Sequence, residues 1–210
     1  MLETYEPQFK AFIQSEMTQD LAHDLCHVMR VVSLAKKLCT LEGGNIDVVL
    51  PAAYLHDCFS FPKNHPQREL SSTKAAEKAL SFLKTIDYLS KHFKAIHHAI
   101  CAHSFSANIP PQTLEAKIVQ DADRLDALGA IGVARCLQVS TQMGVSLYNE
   151  DDPFCAVRDP DDKRYSIDHY HTKLFRLPGM MQTASAKLEA EQRVKFMRNF
   201  LNQLGSEISG

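Results

Sequence analysis

Asp47-Val48-Val49-Leu50-Pro51-Ala52-Ala53-Tyr54-Leu55-His56-Asp57-Cys58 is apolar nearly all round and then ends on an imidazole and a carboxylate. A helix without a polar face belongs in the middle of a bundle. The stretch therefore predicts a central helix, with Asp47 as its N-cap and Pro51 tolerated near the first turn. A second run, Val119-Gln120-Asp121-Ala122-Asp123-Arg124-Leu125, sets two carboxylates in otherwise apolar helical sequence. An ionised carboxylate taken out of water needs an opposite charge, several hydrogen bonds or a metal, and imidazole beside carboxylate is ligand chemistry for a divalent ion.

Working outward, helical spacing recurs while strand alternation is hard to find, so the fold is expected to be all-α. At ~100° per residue, Val31, Leu34 and Leu38 share a face with His27, and Asp24 lies one turn earlier, which turns His27 inward. Phe59 to Arg68 carries two prolines and reads as a loop beside the site. Helices are expected from about Ser72 to Ile86, from about Lys91 to His103 and from Leu114 through Asp123. Gly129 and Gly132, with Ala130 and Ala134 nearby, predict a close approach by another helix. An irregular acidic stretch follows Gln142 to about Arg164, and further helices are expected near Ile167–Leu177 and Met180–Leu204. No repeat or clear linker interrupts the chain. Residues 1–210 are therefore read as a single domain, a helical core over about 20–142 with a C-terminal helical extension over about 143–210.

The composition excludes several classes. In 210 residues, 23 basic and 25 acidic side chains leave a net charge of -2, so no global field draws in a nucleic acid polymer or an anionic membrane. Met1 to Lys10 already carries Glu3, Glu6 and Lys10, and no apolar run approaches a spanning length, so the expected location is cytoplasmic. The 6 cysteines are scattered without a C-x-x-C pair and read mostly as buried thiols. Neither a P-loop nor a glycine-rich dinucleotide fingerprint is present.

If His27, His56, Asp57 and Asp123 converge, two imidazoles and two carboxylates hold an octahedral ion and leave positions open for water or substrate. Such an ion polarises a phosphoryl oxygen and lowers the pKa of bound water. The mixed donor set suits manganese, iron, cobalt or nickel better than calcium without selecting among them; manganese is the expected ion, with iron, cobalt, nickel or magnesium as alternatives, and the lack of thiolates argues against a structural zinc. One histidine or aspartate in an apolar stretch is more often a hydrogen-bonded core residue. Four of them on three helices argue for a ligand set.

Ala22-His23-Asp24-Leu25-Cys26-His27-Val28-Met29-Arg30-Val31, then Leu55-His56-Asp57, then Ala122-Asp123-Arg124-Leu125 resemble the H…HD…D signature of the HD-domain metal-dependent phosphohydrolases. With His98 to Ser104, Val119 to Arg135 and Tyr170 to Pro178, the chain is similar to a subgroup of small bacterial HD hydrolases, some of them nucleoside triphosphate pyrophosphohydrolases. The resemblance implies an HD-type helical bundle whose metal ligands are His27, His56, Asp57 and Asp123. By the same resemblance His56-Asp57 is the family's doublet and His23-Asp24 a decoy, with Asp24 placed to orient the His27 ring. Asp126 shares a helix face with Asp123 and is expected to support the site, whereas Asp121 points elsewhere as a surface charge or cap.

The subgroup resemblance also places His98 and His103 beside the metal, as phosphate or proton-transfer groups or as a second metal position. Five residues separate them by ~140°, so sharing one site requires the helix to end or distort between them. Lys63, His65 and Arg68, just after the doublet, are candidate phosphate contacts, with simple solvation as the bland alternative. The implied activity is metal-dependent hydrolysis of a phosphate ester or anhydride in a small substrate, a nucleotide first, with Asp57, His98 and His103 in catalytic roles. The competing reading is a non-catalytic metal- and nucleotide-binding module on the same scaffold, and a homo-oligomer is left open. Cys58-Phe59-Ser60 after the doublet and the lack of a G-Y-P motif argue against a cyclic dinucleotide phosphodiesterase.

Overall fold

The computed structural model describes residues 2–16, 24–62 and 65–210, so His23 and Lys63 lie outside the described residues. Among the described residues the chain is helical and has no strand; one isolated bridge joins Ser146 to Tyr165. No described helix is long and apolar enough to cross a membrane. The chain divides into two compact units, Met1–Asp123 and Arg124–Gly210. The division falls inside helix α6, Leu114–Asp126, upstream of the boundary expected near 142. The physical reason lies in α7, Gly129–Gln142, which packs against the C-terminal helix α9, Ala184–Ser209, and so belongs with the C-terminal residues.

In the first unit α1 (Leu2–Glu16), α2 (Leu25–Glu42) and α5 (Phe93–His103) pack around α3 (Ile46–Leu55), and α4 (Ser71–Thr85) packs on α5. Every residue of α3 from Val48 to Leu55 is buried, as its unbroken apolar sequence requires. Its N-cap is Asn45, whose side chain accepts from the Asp47 amide at 3.0 Å, so the cap lies two residues before the expected Asp47. That shift puts Pro51 in the helix interior. Proline has no N–H for the carbonyl four residues back, here Asp47, and the Tyr88 hydroxyl donates to that carbonyl at 2.7 Å instead.

Helix α1 was not among the expected elements, because its core-facing residues are few and spaced among charges. Phe9 and Ile13 are buried, and the Phe9 ring lies 5.6 Å from Tyr54 and 5.8 Å from Tyr88. Glu6 fastens α1 to α2 and α3 by accepting from Lys36 at 2.7 Å and from the Tyr54 hydroxyl at 2.9 Å.

The second unit contains α7, the short α8 (Asp168–Thr172), a 3-10 segment (Leu174–Met180) and α9. Ala186, Ala190, Val194, Met197 and Leu201 form the buried stripe of α9 at helical spacing. The expectation for Gly129 and Gly132 holds for the first alone. A Cβ at Gly129 would meet the Arg193 side chain of α9 at 3.2 Å, whereas one at Gly132 would strike the Ala127 carbonyl oxygen of its own preceding turn at 2.2 Å.

The acidic stretch is a built loop rather than a solvated one. Asp152 accepts from the amides of Ala156, Val157 and Arg158 at 2.8, 2.9 and 3.1 Å, and the Arg158 fork holds both oxygens of the buried Asp168 at 2.5 and 2.7 Å.

Candidate metal centre

Three elements of the first unit bring imidazoles to one carboxylate. His27 is the third residue of α2, whose N-cap Asp24 accepts from the His27 backbone amide at 2.8 Å. Asp24 thus fixes the start of the helix through the main chain, rather than gripping the ring as expected. His56 follows the last residue of α3, and its Nδ1 pairs with the Ala53 carbonyl at 2.8 Å. Since a carbonyl only accepts, Nδ1 carries a proton, which leaves Nε2 as the ring atom that would ligate an ion on losing its own proton. His103 ends α5 in the same way, with Nδ1 at 2.6 Å from the Ile100 carbonyl.

Asp57 is the hub. Its Oδ2 lies 3.4 Å from His56 Nε2 and 3.8 Å from His27 Nε2, and its Oδ1 lies 3.6 Å from His103 Nε2. Ligand atoms of His27, His56 and Asp57 all lie within 4.8 Å of one another, and Asp123 Oδ1 reaches His27 Nε2 at 3.4 Å. These separations exceed a good hydrogen bond. Two atoms each ~2.1 Å from one ion at octahedral to tetrahedral angles stand roughly 3.0 to 3.4 Å apart, close to the spacings here. His56 Nε2 is fully buried and has no hydrogen-bond partner among the described residues, a costly state for a ring nitrogen unless it ligates an ion. His27, His56 and Asp57 therefore form a group that could hold a divalent ion, with Asp123 beside it against His27.

The electrostatics agree. Burial alone would disfavour the charged forms, but Asp57 and Asp123 overcome it and push the His56 pKa up to about 9. Conversely, burial would raise Asp57, yet His56 and His103 hold its carboxyl well below the usual range, and His27 does the same for Asp123 against burial. Cys58, next to the doublet, is buried and donates its thiol to the Ala75 carbonyl; burial pushes its pKa up to about 12, so it stays a neutral thiol.

Other expected residues are employed elsewhere. His98 Nε2 accepts from the Gln112 amide at 2.9 Å. Helix α5 runs unbroken from Phe93 to His103, so the angular separation of the two histidines stands and His103 alone joins the centre. Arg68 donates to the Phe61 carbonyl at 2.7 Å, and His65 stacks on the Phe61 ring at 4.3 Å while its Nδ1 accepts from the Gln67 amide. Both shape their own loop. Asp126 ion-pairs with Arg135 at 2.7 Å, in place of the expected support for Asp123. Asp121, expected at the surface, is fully buried.

Two residues that sequence reasoning passed over anchor the centre. The last turn of a helix leaves carbonyls without intrahelical partners. In α5 three of these are taken by side chains: Ile100 by His103 itself, Cys101 by the Ser72 hydroxyl at 3.1 Å, and Ala102 by the Gln120 amide at 2.6 Å. Ser72 and Gln120 are both buried. Gln120 lies one turn before Asp123 on α6, a spacing that was a readable signal.

The HD domain family model matches residues 24–128, a span that contains His27, the His56-Asp57 doublet and Asp123. The chain belongs to the HD-domain family. It is a metal-dependent phosphohydrolase of the HD superfamily. YpgQ of Bacillus subtilis, an uncharacterized protein, is 32% identical over 208 residues, covering 97% of this chain and 93% of YpgQ. The crystal structure of B. subtilis YpgQ in complex with ADP matches with a TM-score of 0.74 at 31% identity, over 97% of this chain and 95% of that one. An HD-superfamily hydrolase from Bacillus thuringiensis matches with a TM-score of 0.78 at 29% identity over 100% of both chains.

Proposed function

We propose that this HD-family enzyme hydrolyses a phosphate ester or anhydride bond of a nucleotide, with manganese as the preferred ion and His103 as the proton-transfer residue. The observation that carries the reading is the division of Asp57: one oxygen faces the ligand histidines and the other faces His103 Nε2 at 3.6 Å. The nucleotide preference draws on the ADP complex of YpgQ. The manganese preference draws on a donor set of imidazole and carboxylate without thiolate.

A bound divalent ion supplies Lewis acidity at a phosphoryl oxygen and acidifies water near neutral pH. The chain supplies the rest. With Nδ1–H locked on the Ile100 carbonyl, the Nε2 lone pair of His103 accepts a proton from attacking water, and Asp57 Oδ1 stabilises the imidazolium that results. The same nitrogen then returns the proton to the leaving oxygen. The buried rings of His27 and His56 hold their geometry because each stands on a fixed helix end. His65 and Arg68, engaged within their own loop, and His98, engaged with Gln112, are left out of the proposal.

Manganese-loaded protein offered a panel of nucleoside mono-, di- and triphosphates should release phosphate or pyrophosphate, and Asp57→Ala should abolish the release. Turnover that persists unchanged in Asp57→Ala overturns the mechanism. Tight nucleotide binding without turnover under several metals favours the non-catalytic module instead.

A further inference from the structure

The second unit contains an open cavity of ≈ 530 Å³ lined by both aromatic and polar side chains. Phe154, Phe175 and Leu201 give it apolar walls, and His171, Arg198 and Asn202 give it polar groups. Arg198, Leu201, Asn202 and Gly205 fall at helical spacing on one face of α9, so a single rigid helix carries one whole side. Gly205 has a reason to be there. A Cβ at that position would meet the Phe154 ring at 3.2 and 3.3 Å, so the glycine, unfavourable inside a helix, lets the phenyl wall lie against α9.

The polar groups lack partners of their own. The Arg198 guanidinium carbon lies over the Phe175 ring, 4.3 Å from its centroid, a cation–π contact that takes up none of its N–H donors. Among the described residues nothing accepts a hydrogen bond from Arg198 or pairs with its charge, and its neighbours one turn away on α9 are Val194, Lys195, Leu201 and Asn202, none of them acidic. The His171 ring meets Phe175 edge-on at 5.6 Å, and its Nε2 is buried without a hydrogen-bond partner. Burial holds the His171 pKa below the usual value, so the ring is neutral and adds no charge to the wall. The carboxylates whose fields reach it are already engaged, Asp168 by the Arg158 fork and Asp152 by three backbone amides.

Aromatic walls and one unneutralised guanidinium define a ligand chemistry. We propose that this cavity is a second binding site, which takes a small planar aromatic ring carrying a phosphate or carboxylate group, the anion on the Arg198 fork and the ring against Phe154 and Phe175. None of its residues belongs to the metal centre, so the proposal does not rest on the phosphohydrolase reading.

Calorimetric titration of the full chain in chelator-containing buffer tests it with adenosine monophosphate, 4-hydroxybenzoate and inorganic phosphate. At least one aromatic anion should saturate the protein at submillimolar concentration, and inorganic phosphate should bind at least about tenfold more weakly because it lacks the ring. Saturation by the nucleotide or by the aromatic acid identifies which source of the anion the site takes. Arg198→Gln, at an exposed position, should weaken binding about tenfold or more, and Gly205→Ala should weaken it by displacing Phe154. Asp57→Asn should leave it unchanged. The proposal is overturned if neither aromatic anion saturates, if inorganic phosphate binds as tightly, if Arg198→Gln has no effect, or if Asp57→Asn abolishes binding.

Discussion

Asp57 and Asp168 are both acidic side chains withdrawn from water, and they are treated in opposite ways. Asp168 is closed: the Arg158 fork holds both its oxygens at 2.5 and 2.7 Å, and the Asp161 amide adds a third bond at 2.6 Å. Asp57 is open, with the imidazole nitrogens around it at 3.4, 3.6 and 3.8 Å, beyond good hydrogen-bond length. The contrast separates a carboxylate used for folding from one that the proposed function assigns to an ion.

The largest expected effects test this contrast directly. Asp168→Ala strands the Arg158 charge and should destabilise the protein by about 3 kcal/mol in a denaturant melt. Asp57→Ala should show a different pattern: turnover lost by a factor of at least ~10³, with the metal-free melt lowered by less than in Asp168→Ala, since the imidazoles around Asp57 stand beyond good hydrogen-bond length. Two variants that shift the melt equally would erase the distinction.

How much of this was legible beforehand depended on whether one segment carried the signal. The central helix α3 was readable because burial on every side leaves its mark in one continuous apolar run. Its cap was misplaced by two residues because Asn45 and Asp47 are both good caps, and the choice between them turned on Tyr88, which relieves the carbonyl that Pro51 orphans. The gathering of His27, His56 and Asp57, with Asp123 beside His27, was readable from ionisable residues in apolar helices together with the family resemblance. The partners of His98, Asp126 and Arg68 were not, since each lies in tertiary or loop geometry: Gln112 for the first, Arg135 for the second, the Phe61 carbonyl for the third. Gln120 escaped notice because an amide beside two aspartates draws no attention until the end of α5 is seen to need a donor.

Smaller effects sharpen the open site. His103→Gln keeps a polar group of similar reach but cannot relay a proton, and kcat should fall by about 10² or more with metal content unchanged. Loss of metal in that variant would make His103 a ligand instead. Gln120→Leu leaves the buried Ala102 carbonyl unpaired, which should cost about 1–3 kcal/mol in a melt. It should also lower kcat several-fold without altering KM, because the end of α5 that aims His103 loosens. A melt shift with kcat intact would confine Gln120 to folding.

The closed region has the smallest effect and a defined pH window. The backbone amides of Val157, Ala156 and Arg158 lower the Asp152 pKa to about 2 from 3.8. A carboxyl depressed on folding stabilises fully above its unfolded pKa and loses that contribution as pH falls through the folded one. The stability gap between wild type and Asp152→Asn should therefore be constant above about pH 4 and shrink as pH falls toward 2. A gap independent of pH would mean that the loop is held by something other than the charge.

The central claim, that Asp57 is held open for a divalent ion, is tested most directly by titrating manganese into chelator-stripped wild type and Asp57→Asn and reading bound ion by electron paramagnetic resonance. The account predicts saturable binding in the wild type and its loss in the variant, with both proteins equally folded. Equal manganese binding by the two would contradict it.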